Sequence, residues 1–584
     1  MKSIRDLPIK IIHEIPPVLS SKEKCAIDTE WFLMDKDRLH RPVLTDGSPN
    51  GFLACVTFCF NGEDVYFVTN PDDVQEAMDN VSEATQIYAN CKFDLVHLRR
   101  HAHIPVRINK LWDVITLDRI MWSGLYSSFT LADITRRRLH MHLPKEDRKG
   151  FAKADKLTPE LEQYSAYDPV ATWHVYQHQI RDVLKNDPNA LKLWAEVDLP
   201  ALNTVMSMKG FMIDKERWES IADEAVERRK IVPAKYPELL SKTGKKGLSN
   251  VKVGEELIKR GYTDIPRTKT GKPSTAIKTL ESIQNPCDFV KDLIAHSSTK
   301  SLASTYGRSF SDNAEPDSRI YADFDPLRAA TGRFGCSKPN LQNVPNKYTD
   351  PRYRDCFIAG EGNVLVVGDW SSQEPRGGAY LAQDQTMIDI FNEGKDIYIE
   401  SARLMFGWEL TKDDPRRNNV IKPVTLGAFY GLTKHGLFNN NQIPKDEGEK
   451  LLNAFFSVFH GVADWIDEMR DGREYVETIM GRKYWLNPYD YKSRNNACNS
   501  PVQGSASDAM KMAGWEFVKQ WGDLEHSPIV NFVHDEMIIE VAEEDKDRAM
   551  KLLDECMVSV AEKMHPGVKA KADIGWGHTW SAKA

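Results

Sequence analysis

Residues 531–541, NFVHDEMIIEV, allow few backbone arrangements. Phe532 and Val533 lead into His534, Asp535 and Glu536, and Met537, Ile538, Ile539 and Val541 lead out, which reads as strand, tip, strand. Tight hairpin tips normally use Gly, Asn or Asp-Gly, because these residues tolerate positive φ. Two adjacent acids there repel each other unless something positive sits between or beside them. The hairpin therefore calls for another acid from elsewhere in the chain. GNVLVVGDW supplies it: the apolar run 364–367 ends at Gly368-Asp369, which puts an acid at the end of a buried strand.

At 584 residues the chain is too long for one apolar core and implies roughly three to five domain-sized units. It has no low-complexity tract or internal repeat, and no run approaches the ~18 to 20 apolar residues that span a bilayer. MKSIRDLPIKIIHEIPP reads as neither a signal nor a transit peptide, so a cytoplasmic location is expected. The nine cysteines are scattered; Cys55 and Cys59 lie in FLACVTFCF, where buried strand residues are the reading rather than zinc ligands. Net charge is −8, yet residues 228–279 hold about 14 Lys/Arg against about 4 Asp/Glu, including SKTGKKGLSN and RTKTGKPST. Phosphate contact and a plain solvated face both remain open for that stretch.

Three segments of the first third carry acids at informative spacings. KCAIDTEWFL places Asp28 and Glu30 on one face of what reads as the first strand of a sheet, with a turn expected at Asn61-Gly62 farther on. QIYANCKFDLVHLRR spaces Asn90 and Asp94 by four, one face of a helix, and LEQYSAYDPVATWHVY does the same for Tyr164 and Asp168. Asp28, Glu30, Asp94 and Asp168 together suffice to hold two Mg²⁺ ions for hydrolysis of a phosphodiester, with Tyr164 hydrogen-bonded to the attacking water.

Asp369 and Asp535 make a second set. Two aspartates on adjacent strands suit a metal pair between a primer 3′-hydroxyl and a nucleoside triphosphate. In DPRRNNVIKPVTLGAFYGLTKHG, a helix is expected from Arg416 that loses regularity at Gly427 and Gly431. Lys422 suits a triphosphate, Tyr430 lies about two turns on along nearly the same face, and the glycines read as room for a base pair.

The order D-x-E, N-x-x-x-D, Y-x-x-x-D resembles the 3′→5′ proofreading exonucleases of DEDD type with tyrosine. From about residue 190 onward the chain resembles the polymerase domain of family A DNA polymerases, on ATGRFGCSKPNLQNVP, DWSSQEPR, K-x-x-x-x-G-x-x-Y-G, NSPVQGSASD and VHDE. The resemblance implies an α/β (α+β) chain: a ribonuclease H-like exonuclease domain over residues 1–190, then a right-hand polymerase over 191–584. Its thumb is expected at about 210–310, its palm at about 320–400 and 485–584, and its fingers at about 400–485. It implies Asp369 and Asp535 as metal ligands, with Mn²⁺ able to replace Mg²⁺, and Glu536 beside them. It implies Lys422, Arg417, Leu426, Tyr430, Gln373 and Tyr398 around the nucleotide, and Glu374 as the barrier to a ribose 2′-hydroxyl. Arg333, Arg376, Asn499, Gln503 and His534 are implied on primer-template DNA, where minor-groove acceptors report pair shape rather than sequence.

Four positions depart from the family. Leu426 replaces a usual aromatic; Pro423 follows the lysine and removes a helical hydrogen bond; Asn418 stands where arginine is usual, with Arg417 one residue off; and Tyr398 replaces a frequent histidine. Weaker nucleotide binding is expected from these changes. Because the exonuclease-like strand lies near residue 1, no separate 5′ nuclease domain is expected, which resembles phage replicative polymerases; host cytoplasm and a monomer are then expected. Two alternatives are a single-subunit RNA polymerase and a catalytically inactive DNA-binding protein. Glu374 and the exonuclease-like segment argue against the first, and six intact acids argue against the second.

Overall fold

The computed structural model describes residues 2–581 except 34–50, 101, 109, 147–150, 152, 153, 155, 242–246, 269, 347, 348, 442, 491 and 492. The whole basic run KTGKK (242–246) and Lys269 thus lie outside the described residues. Four apolar cores stand among those described.

The first core surrounds a six-stranded sheet ordered Lys10–Ile12, Asp64–Val68, Gly51–Cys59, Lys24–Leu33, Thr85–Tyr88, Lys110–Asp113. The acid-bearing strand Lys24–Leu33 is central. It runs antiparallel to Gly51–Cys59 and parallel to Thr85–Tyr88, with a bulge after Glu30. It is not the first strand, as expected, because the short strands Lys2–Ser3 and Lys10–Ile12 precede it. The turn at Asn61-Gly62 does form: Gly62 has φ +88, and the Asn61 side-chain oxygen accepts from Glu63 N and Asp64 N at 3.0 and 2.8 Å. A Cβ at Gly62 would lie 2.8 Å from the Trp173 ring, so close packing as well as dihedral requires glycine. Helix Tyr167–Asn186 packs across the sheet with Val170, Ala171, Val175 and Val183 buried. Cys55 and Cys59 are buried and unpaired. This core also takes in Trp194, Val197, Leu202 and Met206, beyond residue 190.

The second core backs an antiparallel sheet ordered Ile529–Val533, Glu536–Ala542, Asn363–Trp370, Ala572–Gly577. Residues 364–367 are fully enclosed and account for the apolar run. Helix Lys546–Met564 seals one face. It approaches so closely at Gly368 that a Cβ would lie 2.7 Å from Met557 Sδ and 2.8 Å from Leu553 Cδ2. The third core is helical and includes Gln373–Ala382, Ile397–Phe406, Lys422–Phe429 and Lys445–Val458. The fourth and smallest lies between helices Lys215–Lys235 and Asp288–Ala303, in the basic region.

Ion pairs join the first unit to the rest both at the surface and inside. On the surface side, Lys92 pairs with Asp323 and Arg119 with Asp325, beside a cavity of 680 Å³. Inside, Arg482 donates to Asp198 at 2.9 Å and to Asp508 at 2.7 Å, while Lys511 donates to Asp198 at 2.9 Å. Two acids and two bases with essentially no exposure balance in charge, and removing one would strand a buried ion at a cost of about 3–5 kcal/mol. No described helix is long and apolar enough to cross a membrane.

Candidate active sites

In the first unit, one carboxylate oxygen each from Asp28, Glu30 and Asp168 lies within 4.8 Å of the others. Strand alternation brings the first two to one face, and the start of helix Tyr167–Asn186 brings the third over it. Asp94 is buried just behind, where Oδ1 accepts from Thr29 N and Thr29 Oγ1 at 3.2 and 2.7 Å. Burial, then the nearby Asp28, push its pKa well above the usual carboxylate range.

Two local expectations differ from the structure. Helix Cys91–Arg100 starts after Asn90, which has φ +78 and so does not share a helical face with Asp94. Tyr164 ends helix Pro159–Ser165, whereas Asp168 opens the next helix. Lys145 still ties the two together, lying 5.7 Å from the Tyr164 ring centroid and donating to Asp168, and the Tyr164 ring is buried between Phe151 and Tyr167.

Asp168 Oδ2 accepts from Lys145, while the buried Oδ1 has no hydrogen-bond partner. Converging carboxylate oxygens, one of them buried and unsatisfied, fit a hard divalent cation such as Mg²⁺. Sequence reading missed Lys145, because nothing in LPKEDRKG distinguishes one lysine from its neighbours.

In the second unit, the hairpin is a two-residue connection, His534-Asp535, between Ile529–Val533 and Glu536–Ala542. His534 takes the positive φ of +57 in place of a glycine. Asp369 pairs in register with Glu536, and Trp370 N donates to the Asp535 carbonyl at 3.2 Å. The tip is open to solvent, but the cleft walls desolvate the Asp535 carboxylate and Asp369 crowds it. Both effects lift its pKa to about 7. Carboxylates that resist joint ionisation are what a bound cation relieves. Glu536 is drawn away from the cleft: its Oε1 accepts from Trp580 Nε1 at 2.7 Å and lies 3.8 Å from Arg354.

A cleft of 670 Å³ above this pair is lined by Arg333, Gln373, Glu374, Tyr398, Arg417, Lys422, Leu426, Tyr430, Gln503, His534, Asp369 and Asp535. Glu374 is held on both oxygens, by Arg333 and by the Tyr430 hydroxyl. Burial raises its pKa and Arg333 opposes the rise. Arg376 does not line the cleft. It is buried, donates from Nε to the Ser371 carbonyl at 2.8 Å and also to the Lys569 carbonyl, and covers the Phe391 ring at 4.4 Å. Burial lowers its pKa to about 10. These bonds direct the guanidinium inward, away from the cleft, and do not match the DNA contact expected of it. Asn499 lies one turn before Gln503, half-buried, with Oδ1 unsatisfied.

The glycines of the Lys422 helix serve packing, not the base-pair clearance expected. A Cβ at Gly427 would lie 2.3 Å from Leu432 Cδ2, and Gly431, with φ +64, would bring one 2.7 Å from Arg470. Pro423 is accommodated rather than kinking the helix: residues Arg417–Ile421 form a π turn directly before it. A π turn is hydrogen-bonded i→i+5, so the chain can enter the next segment without the amide proline lacks. The wider turn also moves the face by one residue. Arg417, five before Lys422, therefore shares its face: the two lie 5.1 and 5.6 Å from the Tyr398 ring centroid. Arg417 is anchored by Asp396. Burial raises the Tyr398 pKa to about 12, leaving a neutral phenol beside the two cations.

DNA polymerase family A matches residues 222–582. The thermostable DNA polymerase I of Thermus aquaticus is 34% identical over 331 residues, 54% of this chain and 39% of that protein. DNA polymerase I of Chloroflexus aurantiacus is 28% identical over 450 residues, 73% and 47% respectively, and that of Mycobacterium bovis is 28% identical over 485, 78% and 52%. The chain thus spans about half the length of these relatives, or less. In three dimensions it resembles the polymerase domain of Pol1 from M. smegmatis, solved in complex with DNA primer-template and dNTP. The TM-score is 0.80 at 23% identity, covering 98% of this chain and 100% of that one. This likeness extends the shared fold across the first unit as well.

Proposed function

We propose, from the premise that this chain belongs to DNA polymerase family A, that it extends a DNA primer on a template from deoxynucleoside triphosphates and trims the 3′ end at a separate site. The single observation that carries this reading is the convergence of distant acids into two clusters, Asp28–Glu30–Asp168 with Asp94, and Asp369 with Asp535.

In the cleft above their pair, Asp369 and Asp535 would hold Mg²⁺ ions, which would lower the pKa of a primer hydroxyl and neutralise triphosphate charge. Lys422 and Arg417 present cations on one face to the phosphates, and Lys422 is placed to give a proton to departing pyrophosphate. Glu374, braced by Tyr430, puts a carboxylate at the sugar edge and disfavours a 2′-hydroxyl. Arg333 exchanges Glu374 for the primer minor groove when DNA enters. Gln503 and Asn499, one turn apart, meet the groove of the new pair. In the ribonuclease H-like first unit, Asp28, Glu30, Asp94 and Asp168 would hold the excision metals, Tyr164 orients water, and Lys145 competes with the metals for one oxygen of Asp168. Residues 1–190 form the exonuclease in this reading, and the remainder forms thumb, palm and fingers. A phage-like replicative role belongs to the same proposal.

Labelled primer-template with Mg²⁺ tests it directly. Extension with deoxynucleotides and 3′ shortening without them are expected; extension with ribonucleotides instead would overturn the assignment of Glu374.

A further inference from the structure

A cavity of 430 Å³ opens on the first unit beside helices Val114–Trp122, Leu131–Leu139 and the far half of Tyr167–Asn186. Trp122 and Tyr126 form an aromatic wall, with Arg137 at 4.3 Å over the Tyr126 ring. Arg137 and Arg138 are committed to Asp118, and Arg138 also to Asp182. Arg181 and Lys185, one turn apart, line the same cavity and are exposed. Neither has a carboxylate partner among the described residues; Arg181 Nε donates only to the Gln177 carbonyl, at 2.8 Å. Burial, with Arg181 and Arg138 nearby, lowers the His178 pKa, so free positive charge comes from Arg181 and Lys185.

This cavity is not part of the carboxylate site. Thirteen residues of one helix separate Asp168 from Arg181, about 20 Å along its axis. A run of packed side chains links it to the polymerase cleft through the interior. Gln503 and Ser507 line the cleft, and between them Gly504 packs so tightly that a Cβ would lie 2.5 Å from Thr478 Cγ2. Thr478 begins the turn linking strands Tyr475–Glu477 and Lys483–Trp485. Trp485 then stacks on Trp122 at 5.3 Å and donates from Nε1 to the Met121 carbonyl at 2.7 Å.

We infer that this cavity holds single-stranded template DNA ahead of the cleft, with bases against Trp122 and Tyr126 and phosphates at Arg181 and Lys185. Aromatic faces stack any base, and paired cations follow the backbone, so such a site is sequence-tolerant and salt-sensitive. The inference rests on the polymerase reading above. It deepens that reading by giving the first unit a task during synthesis, independent of excision.

The test uses the whole chain and primer-template duplexes with 5′ template overhangs of about 2 or about 15 nucleotides, the long ones carrying a photoreactive base. The overhang base is expected to cross-link to peptides containing residues 122–126 or 181–185. The doubly substituted Arg181→Glu, Lys185→Glu chain should bind the long-overhang duplex about tenfold more weakly, with a shallower salt dependence, and the short one unchanged. Cross-links arising only from the primer strand, or equal weakening on both overhangs, overturn the inference. If the short-overhang duplex is extended normally while overhang length has no effect, this inference alone fails. If the native chain extends neither duplex, the polymerase reading fails and takes this one with it.

Discussion

The two carboxylate clusters solve one electrostatic problem in opposite ways. The first is preassembled and partly neutralised from within: Thr29 donates twice to Asp94, and Lys145 holds one oxygen of Asp168. The second rests on two strand ends, leaves Asp535 lifted to about 7, and keeps Lys422 and Arg417 across the cleft at Tyr398. On the proposed reading, the difference teaches that a site for trimming can be set before its substrate arrives, whereas a site for joining would keep its cations on a helix apart from its acids, so that an incoming triphosphate meets them there.

The strongest attempt to break this comparison is Asp369→Asn. Losing several kcal/mol of charge stabilisation should slow extension by about a thousandfold or more while 3′ shortening continues. Extension at native rate would remove the Asp369–Asp535 pair from the chemistry. Asp28→Ala is the mirror experiment. Shortening of a single-stranded primer should fall by about a hundredfold, and extension should persist; joint loss of both activities would point to misfolding or a shared site.

Acid provides a third contrast, since the sheet that carries Asp369 and Asp535 is clasped by a buried carboxylate held firmly in its ionised form. Glu540 is enclosed and accepts from Arg319 at 2.6 and 2.8 Å and from Asn363 at 2.7 Å. Although burial opposes ionisation, these partners and Lys209 lower its pKa to about 2. A depressed carboxylate stabilises fully above its unfolded value, and that contribution is lost as pH falls through the folded one. About 3 kcal/mol should therefore disappear between about pH 4.5 and 2, and Glu540→Gln should flatten that part of the stability–pH curve. An unchanged curve would show that the clasp contributes nothing. The smallest effect is expected from Lys145→Ala. Without its lysine competitor, the first cluster should reach half-maximal shortening at a Mg²⁺ concentration lower by about two- to fivefold, with the requirement for extension unmoved. A rise in the Mg²⁺ requirement would instead make Lys145 an organiser of Asp168.

The acids were legible because alternation and strand ends are written locally: Asp28 with Glu30, and Asp369 opposite the Asp535 hairpin, follow from periods of two and apolar runs that stop. What failed was direction. DWSSQEPR does not reveal that Arg376 turns inward to the Ser371 and Lys569 carbonyls, because those acceptors are set by tertiary packing. Gly427 and Gly431 carry no mark distinguishing space for a base from space for Leu432 and Arg470. Lys145 and the Asp198–Arg482–Asp508–Lys511 cluster were invisible for the same reason, since their partners lie far along the chain.

The π turn at 417–421 gives the apparent misplacement of Arg417 a further meaning. Proline and arginine there are two halves of one change in phase. Reverting Pro423 alone would let the segment rewind as α-helix, swinging the guanidinium by about 100° from its lysine neighbour. Removing one residue from 418–421 alone would leave the ring of Pro423 pressed against a carbonyl. A chain of this kind can cross from one helical phase to the other only by altering both places together.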